Sequence, residues 1–142
     1  MPVTFFLNGI KGIAEIFRVE TAKEPYFQKW NKKTALNKIK NSFKNDDIYI
    51  VISDNKMAGF ITSSIAPNNK RKAHIDEFWL RKDYQRKGYG KALINHIEEL
   101  YKLKGVKIMQ VVSNRHSGAF KFYKKLGYGR SKELAFIDKK LR

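Results

Sequence analysis

Two glycines stand between an extended apolar run and an amphipathic helix pattern, and this junction constrains the fold more than any other stretch. The run is Ile75 to Leu80, the loop is Gln85-Arg86-Lys87-Gly88-Tyr89-Gly90-Lys91, and Leu93, Ile94, Ile97, Leu100 and Tyr101 then recur at helical spacing. Strand, glycine loop and helix are predicted in that order. Backbone N–H groups at such a helix start have no partner inside the helix, and the positive end of the helix dipole lies there, so the loop suits a phosphate. Gly88 and Gly90 allow the main chain to approach a ligand where a β-carbon would obstruct it. A turn that merely caps the helix accounts for two glycines about as well. The loop is not a Walker sequence, because no Gly-Lys-Ser or Gly-Lys-Thr follows, and it lacks the third glycine of the dinucleotide fingerprint.

The 142 residues, 42% of them hydrophobic and 13% aromatic, suit one compact folded domain over residues 1–142. With no cysteine, disulfides, thiolate metal sites and a cysteine nucleophile are excluded, and no metal is expected. Met1 to Leu7 is too short for a signal sequence and lacks a basic lead, and no later run is long enough to span a bilayer. A cytoplasmic protein with no membrane contact is the expectation. Thirty Lys and Arg against thirteen Asp and Glu give a formal charge of +17, which attracts polyanions nonspecifically and steers anionic ligands. The lysines are dispersed along the chain, so a solvated basic surface is the first reading of that charge.

In chain order, Val3 to Leu7 reads as an edge strand broken at Asn8-Gly9, and Ile10, Ile13, Ala14 and Phe17 share a helix face that fades toward Pro25. Tyr26, Phe27 and Trp30, expected in the core, precede a basic helix with Leu36, Ile39 and Phe43 on one face and Lys32, Lys38, Lys40 and Lys44 toward solvent. Ile48 to Ser53 and Met57 to Ser64 read as a hairpin turning at Asp54-Asn55-Lys56, with Gly59 as a bulge marker. A polar loop is expected over Pro67 to Lys72, followed by a strand from Ala73 to Leu80. The central helix should end near Gly105, with a strand in Val106 to Val112, a helix from Ser117 to Leu126 stopped by Gly127, and a last strand in Glu133 to Leu141.

The run from Gln85 to Gly90 resembles the Q/R-x-x-G-x-G/A pyrophosphate loop of the GNAT superfamily of acyl-CoA-dependent N-acetyltransferases. A second motif supports it: Ala119-Phe120-Lys121-Phe122-Tyr123-Lys124-Lys125-Leu126-Gly127-Tyr128 resembles the segment that closes the GNAT core. The two stand in the right order, and the resemblance covers the chain from about Ile48 onward. It implies a GNAT-like α/β domain with a mixed, mostly antiparallel sheet flanked by helices, and transfer of an acetyl group from acetyl-CoA to a primary amine by direct attack.

Such transfer needs a neutral amine, a donor for the charge that builds on the carbonyl oxygen, and an acid for the departing thiolate. The resemblance implies that the splayed backbone at Phe78, Trp79 and Leu80 holds the pantetheine arm. It likewise implies that Gln85, Arg86, Lys87, Gly88, Tyr89, Gly90 and Lys91 cradle the pyrophosphate, and that Tyr123 protonates the thiolate. Asp76 and Glu77 match an acidic pair found in polyamine-type relatives. Successive strand residues point to opposite faces, so one of the two is expected to face the amine; Glu77 leads as base, with Asp76 behind it. His74 shares a face with Asp76 and is expected in solvent. Many GNAT members carry Asn where this chain has His116, seven residues before Tyr123, with Asn114 nearby. His116 either donates a similar hydrogen bond to the CoA arm or simply enters the last helix.

The acceptor is left open between a polyamine-like small amine and a protein amino group, and the oligomeric state between monomer and homodimer. Two other classes remain. One is a basic nucleic-acid-binding module using Tyr26, Phe27 and Trp30, although nucleic acid is expected to bind only through nonspecific charge. The other is a CoA-binding regulator without catalysis.

Overall fold

A computed structural model describes residues 3–4 and 9–142, and the chain forms two compact units, Met1–Val112 and Ser113–Arg142. The first is built on a five-stranded sheet in the order β1-β2-β3-β4-β5: β1 Val3–Thr4, β2 Asp47–Ser53, β3 Lys56–Ala66, β4 Asn69–Leu80 and β5 Ile108–Val111. Neighbours are antiparallel except β4 and β5, which run parallel. Of the expected first strand, Val3–Thr4 pairs with β2, while residues 5–8 lie outside the described residues.

Helices α1 (Ile10–Thr21) and α2 (Lys32–Asn45) pack on one face of this sheet. Their buried Ile13, Ile16, Phe17 and Ile39 meet Ile48, Ile50 and Phe60, the inward residues of β2 and β3. A capping box starts α2: Asn31 Oδ1 accepts from the Thr34 N–H at 2.8 Å and Thr34 Oγ1 accepts from the Asn31 N–H at 3.1 Å. Helix α3 (Tyr89–Leu103) buries Leu93, Ile94, Ile97 and Tyr101. The Tyr101 hydroxyl shares a 2.7 Å hydrogen bond with Ser63 Oγ and donates to Asp47 Oδ2 at 3.1 Å, fixing α3 to β2 and β3.

The β2–β3 hairpin turns on Asp54 and Asn55, both at positive φ (50° and 60°), the geometry of a tight two-residue turn. A register irregularity falls between Val51 and Ile52, opposite the stretch Met57 to Gly59, beside the expected marker. Gly59 has its own reason: a β-carbon there would lie 2.5 Å from the Trp79 carbonyl oxygen, so only glycine admits this approach of β3 to β4.

Three expectations are corrected. The loop expected over residues 67–72 is mostly strand, because β3 runs to Ala66 and β4 starts at Asn69; backbone pairing of Asn69 with Ala66 of β3 and of Lys72 with Ile108 of β5 overrides the polar side chains. Phe27 is not core: it lies 64% exposed, at φ 48°, while Tyr26 and Trp30 are partly buried. The strand expected over Glu133 to Leu141 is absent. In the second unit α4 (Gly118–Lys125) is the last regular element, and residues 129–142 are exposed coil. That tail has a strand's apolar residues but no ladder for its backbone, and a lone strand is not stable in water.

Candidate active site

The end of β4 carries the site. β5 pairs with β4 only from Lys72 to Ile75, so from Asp76 to Leu80 the strand keeps β3 on one side and, among the described residues, has no strand on the other. This opening includes Phe78, Trp79 and Leu80.

At the same place β4 is irregular. Thr62 pairs with Glu77 and Ser63 with Ile75, which leaves Asp76 as the extra residue of a β-bulge. A bulge breaks strict alternation, and here both acids come near one cation. Lys38 Nζ, from α2, lies 3.2 Å from Asp76 Oδ2 and 4.0 Å from Glu77 Oε1. Lys38 was expected among the lysines pointing to solvent, and instead it marks where both carboxylates converge. Asp76 is the more open of the pair, its side chain 47% exposed against 18% for Glu77. His74 is exposed, as expected.

Glu77 is held on three sides. Its N–H donates to Thr62 Oγ1 at 3.0 Å, and the Trp79 indole N–H donates to its Oε2 at 2.6 Å. Burial pushes its carboxyl above the ordinary value, with the negative charge of Asp76 adding to the rise, while the Trp79 hydrogen bond and Lys38 pull the other way. Trp79 itself stacks edge-on to Tyr26 at 4.9 Å and contacts Phe17 at 6.4 Å, while Trp30 packs on Phe17 at 4.9 Å. Two of the three aromatics considered for base stacking are therefore taken up in packing.

The glycine loop lies just beyond β4. Arg86 and Gly88 adopt positive φ, 59° and 87°, and Gly88 caps α3 without any side-chain hydrogen bond. The N–H groups of Tyr89, Gly90 and Lys91 meet no acceptor among the described residues, so the first turn offers free donors with the helix dipole behind them. Arg86, Lys87 and Lys91 are exposed around it. These features fit a pyrophosphate. Beside the loop is an open cleft of about 630 Å³, lined by the turn of the β2–β3 hairpin together with Lys87, Gly88, Tyr89 and Ala92.

Two loop residues do other work. The Gln85 amide turns inward, donating to the Leu80 carbonyl at 2.9 Å and to Glu20 Oε1 at 3.3 Å. Tyr89 shares a 2.7 Å hydrogen bond with Ser53, tying the helix start to the hairpin. Glu20 is buried and also accepts from Lys23 at 2.7 Å. Sequence reasoning missed Glu20, Lys38 and Thr62, because each reaches the site only through tertiary contact. Glu20 alone left a signal, as a carboxylate at the end of an apolar helix face.

In the second unit Tyr123 is buried on α4, with the rings of Phe122 and Tyr128 each 5.3 Å away. Asn114 and His116 are exposed in the turn before it. Asn114 Oδ1 accepts from the His116 N–H at 2.8 Å, its carbonyl accepts from Ser117 Oγ at 2.6 Å, and Ser117 caps α4. Among the described residues no group of three or more His, Cys, Asp or Glu is placed to hold a metal ion, and no helix is long and apolar enough to cross a membrane.

Comparison with known proteins agrees with this geometry. The Thermoplasma acidophilum spermidine N(1)-acetyltransferase is 31% identical over 118 residues, 81% of this chain and 71% of that protein. A spermine/spermidine N(1)-acetyltransferase of Bacillus subtilis is 32% identical over 94 residues, 60% of each chain. Among solved structures, the PaiA N-acetyltransferase of Thermoplasma acidophilum in complex with coenzyme A superposes with a TM-score of 0.68 at 24% identity over 89% of both chains, a likeness of fold. The family model of the acetyltransferase (GNAT) family matches residues 13–128, from within α1 to the tyrosine after α4, and the chain accordingly belongs to the GNAT family as an acetyl-CoA-dependent N-acetyltransferase.

Proposed function

We propose that the enzyme acetylates a primary amine of a small, polycationic, polyamine-like acceptor, by direct attack on acetyl-CoA in a ternary complex. The observation that carries this reading is the convergence of Asp76 and Glu77 on one cation beside Trp79 and Tyr26, in a chain whose net charge is +17. Such a seat attracts an ammonium against the repulsion of the whole surface. The similarity to the Thermoplasma spermidine and Bacillus spermine/spermidine N(1)-acetyltransferases supports it.

In this reading Glu77, directly or through a water, takes the proton that the acceptor's ammonium must lose before its nitrogen has a lone pair. Its raised affinity for protons suits that role better than the more exposed Asp76, which holds charge on the acceptor. The N–H groups at the start of α3 hold the pyrophosphate, and the open edge of β4 at Phe78, Trp79 and Leu80 receives the pantetheine arm. Tyr123 returns a proton to the thiolate as the thioester C–S bond breaks.

The test is acetyl transfer measured with spermidine, a diamine, a simple monoamine and a lysine-containing peptide. Turnover of spermidine well above the monoamine and the peptide is expected. Preference for the peptide would overturn the acceptor, and binding of acetyl-CoA without transfer to any amine would overturn catalysis in favour of a CoA-binding regulator.

A further inference from the structure

We propose that Lys38 is an internal stand-in for the acceptor: in the free enzyme its ammonium fills the seat of the acceptor's non-reacting ammonium, and a polycationic acceptor binds by displacing it. The inference rests on the polyamine-like acceptor proposed above and adds the residue that sets how tightly and how selectively that acceptor is held. The geometry is that of a substrate mimic. Lys38 Nζ stands 3.2 Å from Asp76 Oδ2 and 4.0 Å from Glu77 Oε1, the two carboxylates that would hold the acceptor. A compact ammonium on a flexible four-carbon stem is also what one end of a polyamine presents.

The mimic is held loosely enough to leave. An ammonium has three N–H donors. Among the described residues Lys38 Nζ has one partner at hydrogen-bond distance, Asp76, while Glu77 lies at the outer limit of an ion pair. The side chains of Lys38 and Asp76 are 31% and 47% exposed, and a pair so open to water adds little to stability. The helix beneath it is fixed, because Ala35 and Ile39 are buried in the core and the capping box at Asn31 and Thr34 holds its start. Exchange therefore needs only rotation of the Lys38 side chain, a fast motion.

With Lys38 swung out and no acceptor bound, Asp76 and Glu77 would face each other without a cation, and a third carboxylate is near. Asp46, at the end of α2, is raised in proton affinity by burial and by the charge of Asp76, while Lys38 pulls it down. Lys38 likewise helps Glu77 to ionise before the acceptor arrives, and the acceptor's ammonium takes over that task in the complex. A monoamine cannot do both, because its single nitrogen must be neutral to attack and brings no cation to replace the lysine. Displacement thus favours acceptors with at least two amines. Apparent affinity falls with the fraction of enzyme whose seat is open.

Lys38→Met and Lys38→Arg test this in the full chain. Calorimetry with spermidine in the presence of CoA, at a pH well above the Glu77 limb, needs no turnover. Lys38→Met removes the competitor and should lower the Kd about 3- to 10-fold. Lys38→Arg, whose guanidinium can grip both carboxylates, should raise it. Profiles of pH then separate displacement from a structural role, since kcat/KM reports groups of the free enzyme and kcat those of the complex. In Lys38→Met the acid limb of kcat/KM for spermidine should move to higher pH, because Glu77 loses a charge that favours its ionised form, while the limb of kcat stays as in wild type. Spermidine bound equally or more weakly by Lys38→Met, or more tightly by Lys38→Arg, overturns the inference alone. So do limbs of kcat and kcat/KM that move together, which would keep Lys38 beside Glu77 throughout. Spermidine bound by neither wild type nor variant overturns the acceptor reading, and the inference with it.

Discussion

At the residue scale the proposed mechanism rests on a carboxylate made reluctant to ionise. Burial raises Glu77's pKa above the ordinary glutamate value of about 4.3, and a general base acts only when deprotonated. The rate should therefore climb with pH through an acid limb centred above that value. Glu77→Gln should remove the limb and lower kcat/KM by about 10²- to 10⁴-fold with little change in acetyl-CoA binding, which a pH–rate profile and calorimetry would check together. Stability moves in the matching direction. A carboxyl with a raised folded-state pKa stabilises the fold while it is protonated, fully so below the unfolded value, and that contribution is lost as pH rises through the folded pKa. Melting temperature in wild type should consequently fall across this window relative to Glu77→Gln. Tyr123→Phe removes one oxygen from a buried ring and should slow transfer while retaining acetyl-CoA binding; an unchanged kcat would exclude Tyr123 as the acid. The acidic pair and Tyr123 were readable as residue types. That both acids meet Lys38 was not, because the bulge at Asp76 is a property of pairing with β3, and the lysine comes from a helix 38 positions away.

At the scale of elements, the glycine loop works by backbone shape. Gly88 has φ 87° and open space where a β-carbon would go, so Gly88→Ala should cost only the left-handed backbone penalty of about 1 to 2 kcal/mol, and Tm should fall modestly. By tilting the donors of the first turn, it should raise the KM for acetyl-CoA more than it lowers kcat. Gly59→Ala differs in kind. Its β-carbon would meet the Trp79 carbonyl and the Leu80 side chain at 2.5 Å, forcing β3 and β4 apart where β4 is already open on its other edge. A larger loss of Tm is expected, and a scan of both variants would rank them. Helical periodicity predicted α1, α2, α3 and α4, and the Asp54-Asn55 turn predicted the hairpin, because those signals are local. β4 began earlier than its apolar pattern suggested, since Asn69 is paired with Ala66 of β3 and Lys72 with Ile108 of β5, contacts that no local pattern reveals. The tail shows the converse, a strand-like sequence without a ladder.

For the whole molecule, the surplus of positive charge and the local acidic seat act over different distances. At about 0.15 M salt the Debye length is about 8 Å, so Asp76 and Glu77 reach an acceptor only once it arrives, while at low salt the summed +17 governs the approach. Acetyl-CoA and the proposed polyamine acceptor therefore feel the protein with opposite sign. Acetyl-CoA, a polyanion, is drawn in, and kcat/KM for it should fall as salt is raised from about 20 to 300 mM. A polyamine is repelled by the surface before the carboxylates hold it, so over the same range its kcat/KM should rise, then decline only when screening weakens the short contacts at Asp76 and Glu77. Asp76→Asn sharpens the comparison: it removes attraction at the seat and leaves the long-range field nearly intact. The variant should raise the KM for the polyamine at every ionic strength while the salt dependence for acetyl-CoA stays as in wild type. Parallel salt responses for both substrates would mean that association is governed by something other than this charge distribution.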